Sequence, residues 1–254
     1  MVKISAVIIT LNEEKNIERC LDSLVGIADE IVVVDSFSID KTKAICLEKK
    51  VVFHENAFEG YSQQKNYANS FAKYEYILSL DADESLSPEL KKTILLEKEK
   101  GFTEMLYEFN RLVFYCGEKI RHCGWYPDKK TRLWKREIGK WDDSLLHEKV
   151  QINEGIKPKF LKGDLYHHTF HTISQHIEQI NKFSTLKAIT EYNSDKRTNF
   201  AKILIKPFVK FFIQYFFQLG ILDGFLGYII CKNSAYSEFL KQVKMQRLNK
   251  NAKI

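Results

Sequence analysis

The sequence predicts an α/β fold with a mostly parallel sheet, and three observations carry the prediction. Short apolar runs alternate with helical patterns four times within about the first 85 residues. The second run, Ile31–Val34, is uniformly apolar, which is typical of a central parallel strand. A later run, Tyr76–Leu80, ends abruptly in Asp81, Asp83 and Glu84. Because ligands bind at the carboxyl ends of strands in open α/β sheets, these acids stand where a site is expected.

The elements follow in order along the chain. We predict strands over residues 4–11, 30–35, 51–53 and 76–80, with helices over 17–24, 41–49 and 62–71 between them. Right-handed crossovers bring the loops at 10–14, 35–40 and 81–84 to one edge of the sheet, where they form a polar crevice. Beyond residue 101 the pattern is irregular, with short strands at 105–109 and 112–115, and a helix follows over 172–191.

Asp81 and Asp83 form an Asp-x-Asp motif with the small Ala82 between them. Two carboxylates this close repel each other unless a cation joins them, and their hard oxygens suit Mg²⁺ or Mn²⁺. The alternative is a solvated turn after a strand. The glycine-rich loops that cradle phosphates are missing after the first strand, so a bound nucleotide would rely on a metal for its phosphates.

Composition sets the broad class. A length of 254 residues suits one large domain, or one domain with an appendage. The net charge of +6 is small for a nucleic-acid-binding protein and we predict no such partner, although basic residues crowd positions 196–253. Five cysteines without paired spacing indicate reduced thiols in the cytosol. The chain enters its first strand directly after Lys3, so we expect no signal peptide.

Four motifs, in order and spacing, resemble those of glycosyltransferase family 2. They are residues 6–14, 31–36, 64–68 and 81–84. Residues 125–127, 132–134, 146–150 and 220–224 resemble the branch that includes lipopolysaccharide core β-1,4-glucosyltransferases. The Gln-x-x-Arg-Trp signature of processive members is absent, which favours the addition of a single sugar.

The resemblance implies the GT-A fold, a Rossmann-like and mostly parallel sheet flanked by helices, with a C-terminal helical extension. Residues 1–198 would form the GT-A domain, with a nucleotide-sugar half at 1–100 and an acceptor half at 101–198. Residues 199–254 would be a hydrophobic and basic helical region.

The resemblance also assigns roles on the donor side. The residues that would line the base and ribose pocket follow the first strand: Thr10, Leu11, Asn12 and Glu13. Asp35 would hydrogen-bond the base, and Lys65 would lie near the base or the diphosphate. Asp81 would face the ribose and the metal, and Asp83 would ligate the Mn²⁺ or Mg²⁺ ion directly.

Inverting transfer also needs a base that takes the proton of the attacking acceptor hydroxyl. Glu148 is the predicted base, and His147 beside it is a tentative acceptor contact; the alternative is a surface glutamate that pairs with Lys149. Trp125, Tyr126 and Trp141 offer flat rings for sugars, although ordinary core packing is the alternative for each.

Three histidines follow, at positions 167, 168 and 171. They lack a fourth ligand at a spacing typical of zinc, so we expect no zinc site. We expect instead that either His167 or His168 contacts the diphosphate.

Residues 203–231 are the most apolar stretch of the chain. A membrane-spanning helix needs about 20 apolar residues, and here Lys206, Pro207, Lys210 and Asp223 interrupt the pattern. An interfacial amphipathic element on anionic lipid fits better, which predicts a cytoplasmic protein peripheral to the inner face of the cytoplasmic membrane. A buried helical hairpin and a homodimer interface are the alternatives.

Together these features predict an inverting, metal-dependent hexosyltransferase. It would move one hexose from a nucleotide diphosphate sugar, such as a UDP-sugar, to a glycan or lipid-linked acceptor in lipopolysaccharide or cell-envelope polysaccharide biosynthesis. A nucleotidyltransferase is one alternative, but that class requires a glycine-rich basic loop after the first strand, where this chain has Asn-Glu-Glu at residues 12–14. A catalytically inactive membrane-associated scaffold is the other, and the acids at positions 35, 81, 83 and 148 argue against it.

Overall fold

A computed structural model describes residues 2–142 and 149–250. They form two compact units. The first consists of the described residues up to Leu112 and from Asp128 to His168, and the second of those from Val113 to Pro127 and from Thr169 onward. The predicted boundaries after residues 100 and 198 are functional assignments, and they stay predictions.

The first unit carries most strands of the main sheet, and the second carries the long helices. The strands are β1 Ile4–Thr10, β2 Glu30–Asp35, β3 Val52–Glu55, β4 Tyr76–Asp81, β5 Glu84–Leu86, β6 Leu106–Tyr115, β7 Glu118–Ile120, β8 Lys129–Lys135, β9 Gly139–Trp141, β10 Val150–Ile152 and β11 Lys159–Phe170. The helices are α1 Ile17–Leu24, α2 Thr42–Glu48, α3 Tyr61–Ser70, α4 Pro88–Glu99, α5 Ile173–Asn193, α6 Phe200–Phe212 and α7 Gly224–Asn249.

The sheet order is β3-β2-β1-β4-β8-β6-β11-β5. Strands β3, β2, β1 and β4 are parallel to their neighbours, whereas β8 runs antiparallel to β4 and β6 antiparallel to β8. The alternating strands and helices of the first 85 residues therefore form a parallel half, as the sequence predicts. The GT-A arrangement of a mixed sheet flanked by helices, followed by a C-terminal helical segment, is confirmed.

Buried apolar residues explain why these segments pair. Val32, Val33 and Val34 of β2 are fully buried, and α1 buries Ile17, Cys20, Leu21 and Leu24 along one side. These side chains belong to two core clusters that cover the two faces of the parallel strands. The helical spacing seen in the sequence is thus the spacing of residues that pack on the sheet.

Two predictions about local structure are wrong. The predicted strands at 105–109 and 112–115 are one strand, β6, because Asn110 pairs with Lys129 of β8 and Arg111 donates from Nε to Asp128 Oδ2 at 3.0 Å. The predicted loop at 81–84 is only a two-residue turn, because Glu84 begins β5 and pairs with β11 opposite His167.

The second unit is mostly helical. Its core contains Tyr115, Ile120, Cys123, Phe170, Ile230 and Cys231. The predicted helix over 172–191 is confirmed as α5, whose N-terminus is closed by a capping box between Thr172 and Gln175. After α6 the chain passes through a π-helical turn, Ile213–Phe217, and a 3₁₀ turn, Gly220–Asp223, before α7 begins.

Within the described residues no one helix has both the length and the apolar composition to cross a bilayer. Phe200–Phe217 and Gly220–Asn249 meet those criteria only when they are taken together, and the pair is bent by 75°.

Candidate active site

The polar residues that follow β1, β2 and β4 lie at one edge of the first unit's sheet. Thr10 is paired with Asp35 across β1 and β2, and Ile9 is paired with Asp81 across β1 and β4. Because adjacent strands lie about 4.8 Å apart, the backbones of Asp35 and Asp81 are separated by about 10 Å. The structure therefore brings the predicted donor-side positions of three strands together.

The loops after β1 and β2 are tied to each other by hydrogen bonds. The Asn12 N–H donates to Ser38 Oγ at 2.7 Å, and Asn12 Oδ1 accepts the Ile39 N–H at 2.9 Å. The Glu13 N–H donates to Thr42 Oγ1 at 2.8 Å. Asn12 adopts a left-handed backbone conformation, which asparagine tolerates better than most residues. The wall of the predicted nucleotide pocket is therefore shaped before any ligand arrives.

Asp35 is buried, and it organises its own turn. Its carboxylate accepts the Ser38 N–H at 2.6 Å and also the Ser38 hydroxyl. Leu11, by contrast, is exposed at the rim of the same loops. The contact of Asp35 with a base stays a prediction.

Asp81 is held by two permanent cations. Lys65 Nζ lies 2.9 Å from its Oδ1, and Arg132 Nη2 lies 2.7 Å from its Oδ2. Burial alone would raise the pKa of Asp81, but the charges of Lys65 and Arg132 outweigh it and hold the pKa far below its usual range. The repulsion expected between the acids is thus relieved at Asp81 by the protein itself.

Glu84 is a site residue for which the sequence suggested no role. Its side chain is fully buried, with Oε1 2.8 Å from Arg132 Nη2, and Oε2 accepts the Asp81 N–H at 3.0 Å. Arg132 therefore bridges Asp81 and Glu84, and these two carboxylates hold the pKa of its guanidinium above the usual value although burial opposes this. Arg132 lies in the motif at 132–134, but only the pairing of β8 with β4 shows what it contacts.

Asp83 differs from Asp81 because its partner is titratable. His167 Nε2 lies 3.1 Å from Asp83 Oδ2, and the side chain of Asp83 keeps 20% of its surface exposed. Burial raises the pKa of Asp83, but the His167 charge and hydrogen bond outweigh this and lower it below the usual value. His167 therefore lies beside Asp83, and the His168 N–H donates to the Asp83 carbonyl at 2.9 Å. The expected contact of one of these two histidines with the diphosphate stays a prediction.

Trp141 packs in the core, which is the alternative to sugar stacking that the sequence left open for this ring. It is buried, and Lys65 Nζ lies 4.5 Å from its ring centre. Its backbone exchanges two hydrogen bonds of 2.9 Å with the Asn66 amide. This ring helps to fix Lys65 against Asp81 by a cation–π contact.

Glu13 is an acid, among the described residues, whose pKa is raised rather than lowered. Burial, together with the charges of Asp83, Asp40 and Asp81, raises its pKa to about 7, although a hydrogen bond from Asn16 opposes the rise. That hydrogen bond runs from Asn16 Nδ2 to Glu13 Oε2 at 2.8 Å.

Several polar atoms in this unit are buried and lack a hydrogen-bond partner among residues 2–142 and 149–250. Three of them belong to the site: Thr10 Oγ1, Arg132 Nε and Trp141 Nε1. Because buried polar atoms are normally satisfied, such atoms fit a site that receives a polar ligand.

The donor set around Asp83 fits a divalent ion of limited protein coordination. In the described part of the chain no group of three or more histidine, cysteine or acidic side chains is arranged to hold a metal. Mg²⁺, however, is commonly held by one or two carboxylates together with substrate phosphates and water. Asp83, with the adjacent His167 imidazole, fits that second arrangement.

The remaining predicted residues concern the acceptor. His147 and Glu148 lie outside the described residues. Trp125 and Tyr126 belong to the second unit, where Trp125 packs edge-on against Tyr115 and His176. Their roles toward an acceptor stay predictions.

Comparisons with known proteins agree with this geometry. A sequence model described as "Glycosyl transferase family 2" matches residues 5–163. An uncharacterized glycosyltransferase of Rickettsia typhi is 32% identical over 98% of this chain and 88% of its own length. The lipopolysaccharide core biosynthesis glycosyltransferase LpsC of Rhizobium meliloti is 31% identical over 95% of this chain and 91% of its own length.

Solved structures are more distant. S. aureus TarS 1–349 in complex with UDP is 16% identical, with a TM-score of 0.44, over 98% of this chain and 92% of that one. A longer TarS chain is covered to only 39% of its length. Glucosyl-3-phosphoglycerate synthase from Mycobacterium tuberculosis, with Mn²⁺, UDP and phosphoglyceric acid, has a TM-score of 0.40 at 19% identity, over 54% of this chain and 56% of that one. Scores this low support nothing beyond the likeness itself.

Proposed function

This chain belongs to glycosyltransferase family 2, and from that premise we propose that it is an inverting enzyme that transfers one hexose from a UDP-sugar. The acceptor is a glycan or a lipid-linked glycan of lipopolysaccharide or another envelope polysaccharide, a proposal supported by the relative LpsC. The single observation that carries the proposal is the pair of differently partnered acids, Asp81 and Asp83, at the carboxyl end of β4.

The loops after β1 and β2 bind the nucleoside. Thr10, with its unpaired buried hydroxyl, and Asn12 and Glu13, in their fixed loop, face the base and ribose. Lys65 and Arg132 keep Asp81 ionised, so its carboxylate accepts hydrogen bonds from ribose hydroxyls at any ordinary pH.

Asp83 and His167 would hold the divalent ion together with the diphosphate. When bound, Mn²⁺ or Mg²⁺ stabilises the negative charge that develops on the leaving diphosphate. His167 would supply a nitrogen ligand beside Asp83, since its Nε2 lies 3.1 Å from Asp83 Oδ2. Arg132 adds a fixed positive charge beside Asp81 and Glu84.

Transfer itself is a single displacement at the anomeric carbon. The acceptor oxygen forms a bond to this carbon, while the bond to the diphosphate oxygen breaks and leaves its electron pair on the diphosphate. Glu148 takes the proton of the acceptor hydroxyl. With one displacement and no covalent intermediate, the configuration inverts.

The substitution Asp83→Asn tests the donor site. It keeps the shape of the side chain but removes its charge, so Mn²⁺-dependent binding of UDP, measured by titration calorimetry, should weaken about 10³-fold, together with turnover. Asp195→Asn is the matched control, because Asp195 is 95% exposed in the second unit. Equal Mn²⁺-dependent UDP affinity in Asp83→Asn and the parent chain would refute the metal assignment.

The substitution Glu148→Gln separates the base from the donor site. Turnover at saturating acceptor should fall by about 10²–10⁴-fold, while UDP affinity should not change, since the base contacts the acceptor rather than the nucleotide. Screening UDP-, GDP- and dTDP-sugars as donors identifies the sugar. Parent-level turnover in Glu148→Gln would assign the base to another residue.

A further inference from the structure

The helical segment Phe200–Phe217 exposes an unusually apolar surface. None of the residues of α6 is buried. Nine large apolar side chains of the segment are exposed: Phe200, Leu204, Ile205, Phe208, Val209, Phe212, Ile213, Phe216 and Phe217. These nine residues are called the apolar face below.

The apolar face is larger than a monomer in water normally shows. Its five phenylalanines are between 44% and 75% exposed. If a whole aromatic residue presents about 200 Å², these five rings alone expose on the order of 600 Å², before the aliphatic residues are added. The largest exposed apolar patch of a typical monomer is about 300–600 Å² and is often functional, so we expect this surface to bind a partner.

A stripe of lysines runs beside the apolar face. Lys202, Lys206 and Lys210 are exposed and are spaced four residues apart, which places them on one side of the helix. Residues 196–222 contain five basic residues and no aspartate or glutamate. Like charges at this spacing repel each other along a helix, and nothing in the same segment offsets them.

The break after the apolar face is built into the second unit. A Cβ atom on Gly227 would lie 2.0 Å from the Gly220 carbonyl oxygen, so the chain turns here only because both residues are small. Asp223 accepts the His122 N–H at 2.8 Å and contacts His122 Nδ1 at 2.7 Å, which ties the turn to residues 121–123. Contacts within the second unit therefore hold the 75° bend between Phe200–Phe217 and Gly220–Asn249.

We propose that the apolar face binds the surface of an anionic lipid bilayer. The phenylalanines enter the region between headgroups and acyl chains, and Lys202, Lys206 and Lys210 contact lipid phosphates. The lysine stripe interrupts the apolar composition that a spanning helix needs, and the bend turns the chain away after Phe217. The segment thus lies in one interface of the bilayer.

A second copy of this chain fits the same surface less well. In a symmetric dimer the same patch faces itself across the axis, so the lysine stripe would meet a surface that has no acidic residue of its own segment to offer. Like charges placed across an interface are unfavourable, whereas anionic headgroups complement the stripe. Charge complementarity therefore favours lipid as the occupant.

The experiment compares the full chain on two kinds of vesicle. Co-sedimentation with phosphatidylcholine containing a quarter phosphatidylglycerol should be strong at low salt, and binding should weaken as salt screens the lysines. Pure phosphatidylcholine should bind far less. Light scattering of the lipid-free protein gives its oligomeric state in parallel.

Two variants test the two components of the surface. The triple variant Lys202→Gln, Lys206→Gln, Lys210→Gln should lose on the order of a hundredfold in affinity for the anionic vesicles, since each basic residue near such a surface contributes about fivefold. The double variant Phe208→Ser, Phe217→Ser should lose at least about tenfold on the same vesicles.

Matched controls carry the same substitutions at other exposed positions. They are Lys15→Gln, Lys92→Gln, Lys187→Gln and, separately, Val25→Ser with Leu47→Ser. The controls should bind as the parent does, and all variants should melt near the parent temperature. The proposal is overturned if the parent ignores anionic vesicles, if controls and variants lose equally, or if the parent is a dimer that the phenylalanine variant splits without any change in lipid binding.

Discussion

The acid cluster of the first unit and the apolar face of the second differ in whether their charges are paired within the protein. Asp81 and Glu84 are both engaged by Arg132, and Lys65 supplies a second cation to Asp81. Lys202, Lys206 and Lys210 of the second unit lie in a stretch without acidic residues and beside exposed phenylalanines. The first region satisfies its charges internally, and the second leaves both charge and apolar surface to the surroundings.

The acid cluster is therefore preorganised before a ligand binds, whereas the apolar face would be covered only when a partner binds. In the acid cluster the cost of burying ions is offset by short ion pairs, so the dipoles are fixed before the donor binds. The apolar face gains less from folding in water than a core does, because its side chains keep about half or more of their surface in contact with solvent. Substitutions in the acid cluster should therefore lower the free energy of unfolding strongly. Substitutions in the apolar face should leave it nearly unchanged.

The largest expected effect is that of Arg132→Gln. Removing this cation leaves the buried Glu84 without its closest cation and the partly exposed Asp81 with one fewer partner, so the free energy of unfolding in urea should fall by about 3–5 kcal/mol. Adding Glu84→Gln should restore part of the loss, because one buried charge is then removed. Arg19→Gln, at a partly exposed position on α1, is the control and should cost under about 1 kcal/mol. Equal losses in the two single variants would mean that the cluster is not the stabilising unit described above.

A smaller, pH-dependent effect is expected at Glu13. Its pKa rises from 4.5 to about 7 on folding, so the folded chain holds this proton more tightly than the unfolded chain does. Stability is then unaffected by this group below pH 4.5 and falls as the pH rises toward 7. Glu13→Gln cannot titrate, so without metal it should gain on the order of 2 kcal/mol over the parent between about pH 5 and pH 8.

The free energy of unfolding of Glu13→Gln and of the parent is measured in urea at about pH 5 and pH 8 in metal-free buffer. Glu99→Gln, at an exposed position on α4, should follow the parent at both. A constant difference between Glu13→Gln and the parent across this range would contradict the assigned protonation.

The smallest expected effect is that of Phe217→Ser on stability. Phe217 is 75% exposed, so its replacement should change the free energy of unfolding by less than about 0.5 kcal/mol in water. Thermal and urea unfolding of the lipid-free chain measure this directly. A loss above about 2 kcal/mol would show that the ring is buried in solution, and the contrast between the two regions would disappear.

The sequence by itself determined the parallel half and the position of its acids. Strands β1, β2 and β4 and helix α1 are encoded by local apolar periodicity, which the structure reproduces within a residue or two. Because parallel strands end at one edge, Thr10, Asp35 and Asp81 had to lie near one another. The order of the four motifs also predicted the family.

Only the tertiary structure decided how those acids are partnered. Arg132 reaches Asp81 because β8 pairs with β4, and His167 reaches Asp83 because β11 pairs with β5, across 84 residues of chain (167 − 83) in the second case. Antiparallel pairing of distant strands leaves no local pattern, so the sequence could not distinguish Asp81, which Lys65 and Arg132 hold, from Asp83, which His167 contacts. The physical reason is that the protonation of a buried acid depends on charges within a few ångströms in space, whatever their distance along the chain.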